Sequence, residues 1–495
     1  MNKKKIIVIG AGFGGLAVAN LLARDGFSVT VIEKNSQAGG RAQVWREKGF
    51  VYDMGPSWYL MPEVFENYFS IFGKKISDLF ELKRLDPNYR VFFGDSAPID
   101  IPSSMDGIEK VFEGIEPGSA KKLRRYLEAA KYQYDIAMKE FLYRDFSSVM
   151  DFFDLRLITQ GLRLHIFESV DKFARRYFKS DKLRKVLEYT MVFLGGSPDN
   201  TPALYSIMSH VDFGLGVWYP MGGMGRITEA LEKVASENGV EIRLSEEVKK
   251  IKVSGGRVCG VETDLGSYPC DLVVVNADYE HAESKLLDKE WRSFGRRYWE
   301  SRKMGPSAYL IYLGLNKRIK GLQHHNLYLD EKWSEHFDTI FKRPQWPDNP
   351  SFYVSCPSKT DPSVAPEGCE NLFVLVPVAA GIEDLPQIRE KYFNKTIAHL
   401  EKLCGDSIKD SIIVKRDFAH NDFIREYNSY KGTSLGLSHT LFQTAVFRPA
   451  RKSKKADGLY YCGAYNHPGI GVPMVLISAQ ICASSIKEKY AGQSS

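Results

Sequence analysis

The first thirty-odd residues alternate short apolar runs with glycines, a pattern that predicts a strand, a turn, a helix and a second strand. Lys5–Ile9 is rich in β-branched residues, as is typical of a buried strand. Apolar positions within 16–25 recur at three- and four-residue spacing, which predicts a helix that ends at Gly26. A second apolar run, Ser28–Ile32, leads directly to Glu33. The order strand, glycine turn, helix, strand and acid is typical of a dinucleotide-binding unit.

Each glycine of this turn has a physical role in binding a dinucleotide. Gly10 allows a tight turn, Gly12 lets a pyrophosphate approach the backbone, and Gly15 lets the helix pack closely on the strand. The helix N-terminus presents N–H groups and a partial positive charge to the phosphates. Glu33 can accept hydrogen bonds from both ribose hydroxyls, and its charge repels a 2′-phosphate. The predicted contacts in this unit are Gly10, Gly12, Phe13, Gly14, Gly15, Glu33 and Lys34.

A long, glycine-poor region from residue 106 to 188 is predicted to be mostly helical. Its apolar positions recur at three and four residues, at Leu123, Tyr126, Leu127, Ala130, Tyr134, Ala137 and Phe141. Within it, Lys172–Lys185 carries seven basic residues and one acidic residue, interleaved with four large apolar ones. We expect a basic amphipathic helix there, which is either a solvated face over core aromatics or a face that lies on an anionic membrane.

The second half of the chain contains two further glycine clusters. The first, 218–225, leads into a predicted helix at Ile227–Asn238. Strands are predicted after it at Glu241–Leu244, Val248–Val253, Val258–Thr263 and Leu272–Val275. The second cluster, 463–474, lies between a predicted strand at Gly458–Cys462 and a final helix ending at Tyr490. A strand, a glycine-rich loop and a helix N-terminus again make a site for an anion, so both chain ends are predicted to build one site.

Composition narrows the class of protein only a little. The 495 residues carry a net charge of +6 and 44% hydrophobic residues, which excludes a disordered chain and is too weakly basic to indicate nucleic acid. No apolar run approaches the ~18–20 residues of a membrane-spanning helix. The seven cysteines include no Cys-x-x-Cys pair and favour a reducing, cytoplasmic location. No metal-binding motif is predicted, and His324 and His325 are not spaced as a metal pair with any partner.

A second glycine pair favours FAD over NAD. Gly39-Gly40-Arg41 follows Glu33 by six residues and resembles the extended fingerprint of the FAD-dependent, amine-oxidase-like flavoproteins. Residues 53–57 resemble that group's loop near the flavin, and the strand at Val248 resembles its strand near the adenine. The resemblance implies FAD contacts at Gly40, Arg41, Gly55, Pro56, Ser57, Val248, Ala277, Gly463, Gly471, Val472, Pro473 and Met474.

More specific motifs make the chain resemble the bacterial-type carotenoid desaturases, the phytoene desaturase family, over nearly its whole length. They are 216–223, 274–278, 312–316, 324–325, 365–369, 447–449 and 467–473. Two departures, Tyr465-Asn466 where Gly-Thr is common and Met221 where Arg is common, concern the substrate more than the fold. The resemblance implies an FAD-dependent desaturation in which a polyisoprenoid loses a hydride to flavin N5 and a proton. It also implies a long apolar tunnel, which fits the aromatic and Met-rich stretch 191–218.

The resemblance leaves several activities and partners open. The alternatives are desaturation of C30 diapophytoene or of a hydroxylated carotenoid, carotenoid isomerase or saturase activity, and a non-catalytic prenyl-lipid escort. A quinone or oxygen is the expected electron acceptor, and a lipid-borne substrate favours peripheral contact with a membrane. Asp154 lies in a segment that resembles one lining the family's tunnel, so we expect Asp154 and Arg156 as catalytic residues, or else as ordinary surface residues.

The predicted fold class is α/β, with a Rossmann-like FAD-binding domain of the two-dinucleotide-binding flavoprotein type. An inserted mixed α+β substrate domain and a helical membrane-associating region complete it. The predicted segments are FAD-binding parts at 1–100, 216–285 and 446–495, a helical substrate and membrane-associating region at 101–215, and a substrate-binding sheet domain at 286–445.

Overall fold

The computed structural model describes residues 3–94, 96–145, 168–329 and 332–490. Its strands are β1 (Lys5–Ile9), β2 (Ser28–Ile32), β3 (Val44–Glu47), β4 (Phe50–Asp53), β5 (Leu82–Arg84), β6 (Tyr89–Phe92), β7 (Ile99–Ile101), β8 (Trp218–Pro220), β9 (Glu241–Arg243), β10 (Val248–Ser254), β11 (Arg257–Thr263), β12 (Ser267–Pro269), β13 (Leu272–Val275), β14 (Ser307–Leu315), β15 (His325–Tyr328), β16 (Phe352–Ser355), β17 (Glu370–Val378), β18 (Ile412–Phe418) and β19 (Leu459–Tyr461).

Helices cover both ends of the chain and much of its middle. The α-helices are Phe13–Arg24, Pro62–Ser70, Met105–Ile115, Ser119–Ile136, Val170–Arg175, Asp181–Glu188, Ile207–Ser209, Gly225–Glu237, Tyr279–His281, Arg296–Glu300, Trp333–Phe341, Pro386–Cys404, His420–Tyr427 and Val472–Tyr490. None of the helices in the described ranges is both long enough and apolar enough to cross a bilayer.

A five-stranded sheet in the order β19-β13-β1-β2-β9 carries the predicted dinucleotide-binding unit. All of its strand pairs are parallel. The strands come from all three sequence segments predicted to bind FAD, 1–100, 216–285 and 446–495. The β-strand, turn and helix predictions for the first thirty residues and for 459–490 are therefore confirmed, and both chain ends lie in one sheet.

The two faces of this sheet are buried against different layers, which explains why its strands are apolar at consecutive positions. Ile6 and Val8 of β1 pack on the helices Phe13–Arg24, Gly225–Glu237 and Val472–Tyr490. Ile7 and Ile9 face the opposite way, toward the antiparallel sheet β10-β11-β12. A parallel strand covered on both sides needs no polar face.

A second sheet of seven strands has the order β18-β14-β17-β16-β15-β6-β7. Its longest strands are the antiparallel pair β14 and β17, in register from Ser307 opposite Val378 to Leu315 opposite Glu370. β6 joins its edge by parallel pairing with β15. β6 lies within the predicted FAD-binding segment 1–100 and β7 spans its end, so this segment supplies strands to both sheets.

The basic segment Lys172–Lys185 is not the single amphipathic helix that its sequence predicts. The structure divides it into two short helices, Val170–Arg175 and Asp181–Glu188, joined by a turn. Its large apolar residues Phe173, Phe178 and Leu183 are buried in the core beneath the helix Ser119–Ile136. The prediction of one continuous helix is wrong. Apolar side chains of both short helices and of the turn between them are buried in the same core cluster.

Four of the seven cations of the same segment are paired with acids. The bonds join Arg175 to Asp171, Arg176 to Glu168, and Arg184 and Lys185 to Asp181. Exposed pairs of this kind each contribute about 0–1 kcal/mol to stability. Buried aromatics under paired charges are typical of a solvated protein face rather than of a face that inserts into lipid.

Candidate functional site

One elongated cavity of about 900 Å³ runs from the glycine turn of β1 into the interior beside the second sheet. Its volume is at the upper end of the range for ligand pockets, roughly 300–1,000 Å³. Every residue predicted to contact FAD lines it except Gly15. The two catalytic predictions, Asp154 and Arg156, lie outside the described residues.

The glycine turn has the strain and the close contacts that the sequence predicts. Gly10 has a φ of +98°, in the left-handed region that disfavours side chains. A Cβ on Gly15 would lie 2.0 Å from the carbonyl oxygen of Gly10. Gly15 is thus absent from the cavity wall because its role is to let the helix Phe13–Arg24 pack on β1. No side chain caps this helix at Gly12, so its N-terminus is open to the cavity.

Asn276, at the end of β13, is a residue of this site that sequence reasoning missed. Its side chain donates a hydrogen bond to the carbonyl oxygen of Cys462 at 2.8 Å, joining the ends of β13 and β19. If Gly12 carried a Cβ, that atom would lie 2.9 Å from the side-chain amide of Asn276. A Cβ on Gly14 would lie 2.6 Å from the same amide. These glycines therefore leave room for Asn276 as well as for a phosphate. Its place directly after a buried strand, within the 274–278 motif, was the signal that the sequence offered.

Glu33 is oriented by the backbone, and Arg41 has an unsatisfied donor. The Glu33 carboxylate accepts hydrogen bonds from the N–H groups of Ala11 and Asn35, at 2.8 and 3.0 Å. Burial raises the pKa of Glu33, and the two N–H donors oppose that rise. Arg41 donates to the Ser429 hydroxyl, while its buried Nε has no hydrogen-bond partner among the described residues. An unpaired guanidinium nitrogen, an open helix N-terminus and a ribose-facing acid fit a dinucleotide diphosphate.

Asp53 links the loop predicted to lie near the flavin to the 218–225 glycine cluster. Its carboxylate accepts hydrogen bonds from the N–H groups of Met224 and Gly225, at 2.8 and 3.1 Å, at the start of the helix Gly225–Glu237. Burial raises the pKa of Asp53 to about 6. A Cβ on Gly223 would lie 2.9 Å from this carboxylate. The loop containing Gly55 is therefore fixed through a buried acid at a helix N-terminus.

A histidine bridges the C-terminal glycine loop and the opposite wall of the cavity. His439 Nε2 accepts a hydrogen bond from the N–H of Ile470 at 3.1 Å, so the proton of the neutral ring lies on Nδ1, which is 2.7 Å from the Tyr205 hydroxyl. Burial holds the pKa of His439 well below its usual range. A Cβ on Gly469 would lie 2.4 Å from this ring. The close approach of the His439 ring therefore explains why position 469 of the 467–473 motif is glycine.

The residues that depart from the family pattern are structural in this loop. Tyr465 donates a hydrogen bond of 2.5 Å to Asp278, and Asn466 donates to the carbonyl oxygen of Pro449 at 3.0 Å. His467 Nε2 lies 3.0 Å from the carbonyl oxygen of Phe141, which it can only approach as a donor. All three side chains hold the loop in place rather than presenting reactive groups.

Beyond the glycine turns the cavity becomes a chamber with apolar walls. The predicted tunnel stretch 191–218 supplies Phe193, Leu194, Pro202, Leu204, Tyr205, Ile207, Met208 and Val211 to these walls. The carboxylates that line the cavity in the described residues belong to Glu33, Glu247, Asp278 and Glu426, on or next to the loops of the dinucleotide-binding end. The cavity therefore has a polar end and an apolar end.

A small polar cluster interrupts the apolar wall. Trp58 stacks on His325 with ring centroids 4.2 Å apart, and His325 Nδ1 is 2.7 Å from the Tyr353 hydroxyl. Trp58 and Tyr353 line the cavity, whereas His325 is buried behind them. Burial holds the pKa of His325 well below its usual range, so the ring is neutral. The His324-His325 pair is visible in the sequence, but its contacts with Trp58 and Tyr353 are not.

Comparison with known proteins assigns the family. The model of the flavin-containing amine oxidoreductases matches residues 13–487. The carotenoid 3,4-desaturase of Haloarcula japonica is 44% identical over 494 residues, covering 99% of this chain and 99% of the relative. A zeta-carotene-forming phytoene desaturase of Myxococcus xanthus is 35% identical, covering 97% of this chain and 93% of that protein.

A solved structure shows the same fold at low sequence identity. An oxidoreductase from Methanosarcina mazei superposes with a TM-score of 0.64 at 18% identity, covering 98% of this chain and all of that one. The family model and the match over nearly all of both chains confirm the predicted resemblance and the prediction of FAD as cofactor. The chain belongs to the flavin-containing amine oxidoreductases and, among them, to the carotenoid desaturases.

Proposed function

We propose that this protein is an FAD-dependent desaturase of carotenoid biosynthesis that removes two hydrogens from adjacent carbons of a polyisoprenoid chain. The observation that carries the proposal is a cavity that joins a dinucleotide-binding end to an apolar chamber. A hydrocarbon offers no charged group for recognition, so its site must bind through apolar area and shape. The chamber walls between Phe193 and Val211 have this character.

The residues of the two ends have different tasks. Bound FAD supplies the hydride acceptor. Gly12, Glu33 and Arg41 would hold its phosphates and ribose, while the loops at Gly55 and Gly471 would hold its flavin end. The chamber excludes water and orients the polyene, which is how a protein accelerates a reaction whose redox chemistry belongs to the cofactor.

The proton acceptor is proposed on the sequence alone. We assign it to Asp154, with Arg156 as its neighbour in the chain, because their segment resembles one that lines the family's tunnel. In an Asp154→Asn variant we expect turnover of carotenoid to fall at least about 100-fold while bound FAD stays at the wild-type level, since general base catalysis typically contributes 10²–10⁴-fold. An unchanged rate would remove Asp154 from the mechanism.

One observation favours desaturation at C3–C4 over desaturation of phytoene. Identity to the carotenoid 3,4-desaturase is 44%, against 35% to the phytoene desaturase, at similar coverage. Desaturation at C3–C4 is therefore our more specific candidate ahead of phytoene desaturation, with C30 and hydroxylated carotenoids as further substrates of the same chemistry.

Co-expression with defined pathways tests both candidates. The gene is expressed in cells that accumulate phytoene, diapophytoene or lycopene, and the pigments are separated and identified by mass and absorption spectrum. A product two hydrogens lighter with a longer conjugated system supports desaturation and names the substrate. No new pigment in any strain, from protein that contains FAD, would contradict it. Protein that cannot be reconstituted with FAD would instead support a lipid escort.

Peripheral contact with a membrane and reoxidation by a quinone or oxygen complete the proposal. The substrate class is dissolved in lipid, and the protein must reach it there. Reoxidation is tested by supplying a quinone under anaerobic conditions and oxygen in its absence. The compound that sustains more than a single turnover, quinone or oxygen, is the electron acceptor.

A further inference from the structure

Arg448 is a buried cation that no carboxylate neutralises. Three lysine or arginine side chains are buried among the described residues, those of Lys185, Arg448 and Arg451. Lys185 Nζ lies 2.9 Å from Asp181, and Arg451 Nε lies 3.6 Å from Asp145. Arg448 is 5% exposed and has no ion pair within the part of the chain that the structure describes. Burial of an unpaired charge costs folding free energy, so we looked for the group that compensates it.

Backbone carbonyl groups hold the Arg448 guanidinium in place. Its nitrogens donate hydrogen bonds to the carbonyl oxygens of Gln443, Leu437, Ala464 and Asn466, at 2.9, 3.1, 2.8 and 3.2 Å. Burial lowers the pKa of Arg448 to about 10, so the side chain is still charged at neutral pH. Carbonyl dipoles satisfy the donors of the guanidinium but carry no net charge, so they leave its positive charge uncompensated.

The titratable groups around Arg448 do not supply a negative charge. Those that act on it are the hydroxyls of Tyr205, Tyr298 and Tyr465. Burial raises the pKa of each of these hydroxyls, so all three are neutral at neutral pH. The pKa of His439 is held well below its usual range, first by burial and then by the charge of Arg448, so this ring is neutral too. Asp278 accepts a hydrogen bond from Tyr465 and none from Arg448.

Arg448 lies directly behind the C-terminal glycine loop, 463–474, which forms one wall of the cavity. Two of its acceptors, the carbonyl groups of Ala464 and Asn466, belong to residues that line the cavity. A Cβ on Gly469 would lie 3.0 Å from Arg448 Nη2. The loop leads into the helix Val472–Tyr490, whose first turn lines the cavity and contains no acid. The N-terminus of this helix adds a partial positive charge, so this wall is electropositive.

The proposed reaction creates a negative charge beside this wall. A polyisoprenoid that is desaturated loses one hydrogen as a hydride, which brings two electrons and one proton to flavin N5, and the other hydrogen as a proton to a base. The flavin end of the cavity therefore gains one negative charge in each turnover. A cation that is fixed in advance stabilises charge where it develops, because nothing has to reorganise. The loop at Gly471, to which we assign the flavin end, is the loop that Arg448 supports.

We propose that Arg448 is a positioning residue of electrostatic kind, whose uncompensated charge behind the loop 463–474 favours the anionic reduced form of bound FAD and so raises its reduction potential. The proposal gives a role to the arginine of the 447–449 motif. It rests on the proposed function for the direction of hydride transfer, but the potential is measured without any carotenoid. Protein that has the expected potentials and desaturates no carotenoid would therefore contradict the function and not this proposal.

The midpoint potential of bound FAD, measured by equilibration with reference dyes, tests this role. A unit charge at roughly 10 Å, with an effective dielectric constant of about 20, changes an equilibrium at least about tenfold. We therefore expect Arg448→Gln to weaken the preference for reduced over oxidised FAD at least about tenfold, which is about 30 mV for a two-electron couple. Arg448→Lys keeps the charge but loses several carbonyl bonds, so it should be less stable and retain most of the wild-type potential.

Gln443→Leu is the matched control, because it removes neutral hydrogen bonds beside Arg448 without changing the charge. The Gln443 side chain bonds to the backbone of Lys303 and Ser438 and does not line the cavity. This variant should melt at a lower temperature with an unchanged potential.

Three results would overturn the proposal. They are equal potentials in the wild type and Arg448→Gln, the same shift in Arg448→Lys as in Arg448→Gln, and the same shift in Gln443→Leu. If neither Arg448 variant retains FAD, the wild-type protein decides. A wild-type potential above that of free FAD then supports the proposal, and one at or below that of free FAD overturns it.

Discussion

The two ends of the cavity are built in different ways. The dinucleotide-binding end consists of backbone turns whose glycines are fixed by close approach, as at Gly15 and Gly469, and of carboxylates such as Glu33 that backbone N–H groups orient. The chamber end consists of side chains from distant parts of the chain, with no carboxylate on its described walls. The first end recognises charge and tolerates no added atoms, whereas the second recognises apolar volume and should tolerate changes of shape.

The largest effect is expected from a single methyl group at the dinucleotide-binding end. In Gly15→Ala the new Cβ would lie 2.0 Å from the Gly10 carbonyl oxygen, so β1 and its helix must separate. We expect a loss of about 3 kcal/mol or more in the free energy of unfolding and no retained FAD. Thermal unfolding and the flavin absorption of the purified protein measure both.

The control for this variant is another glycine in a helix. Gly114→Ala, in the helix Met105–Ile115, meets no atom within 4 Å. It should be neutral or stabilising by up to about 1 kcal/mol, because alanine lowers the entropy of the unfolded chain. Equal effects of the two variants would contradict the claim that close packing decides the glycine at position 15.

A buried acid behind the chamber should make stability depend on pH. Asp212 follows the chamber residue Val211 and accepts hydrogen bonds from the hydroxyls of Tyr89 and Tyr189, at 2.7 and 3.0 Å. Burial raises its pKa from 3.8 to about 7. The folded chain thus holds a proton that the unfolded chain releases above about pH 4, so stability falls as the pH rises from about 4 to 7, by up to about 4 kcal/mol.

Asp212→Asn tests this effect because an amide does not titrate. The variant should lose this part of the pH dependence between about pH 4 and 7, measured by denaturant unfolding at several pH values. Asp348→Asn, an exposed position, should follow the wild-type curve. Parallel curves for wild type and Asp212→Asn would show that Asp212 is ionised throughout this range.

The smallest effect is expected inside the chamber. Met208→Trp fills part of the apolar wall without touching the glycine turns. We expect kcat/KM for the carotenoid to fall about tenfold, about 1.4 kcal/mol, while FAD content and thermal stability stay within about 1 kcal/mol of wild type. A parallel loss of FAD would show that the two ends of the cavity are not independent.

The difference between the two ends of the cavity also explains which features the sequence could predict. Gly10, Gly15, Glu33 and their strands are local in the chain, so spacing alone predicted the elements and the tight contacts. The chamber stretch 191–218 was predicted through the family resemblance, and its helical turns carry those side chains to the wall.

Tertiary contacts decided the features that the sequence did not predict. Phe173 and Phe178 are interleaved with basic residues, a pattern that allows a helix on a membrane surface, but the structure buries them beneath the helix Ser119–Ile136. Phe442 is 72% exposed in a loop whose residues Gln443 and Arg448 are bonded to Lys303 and Asn466. Asn276 fills space left by glycines more than 250 positions away in the chain. Burial and distant hydrogen bonds of this kind leave no periodic signal in one sequence.

Anaerobic titration of the FAD-bound protein with a carotenoid tests the central claim that one cavity holds the cofactor and the polyene together. The account predicts that the flavin band bleaches as carotenoid is added, with one product molecule, two hydrogens lighter, formed for each flavin reduced. A flavin that stays oxidised with every carotenoid of the co-expression series, in protein that binds these carotenoids, would contradict it.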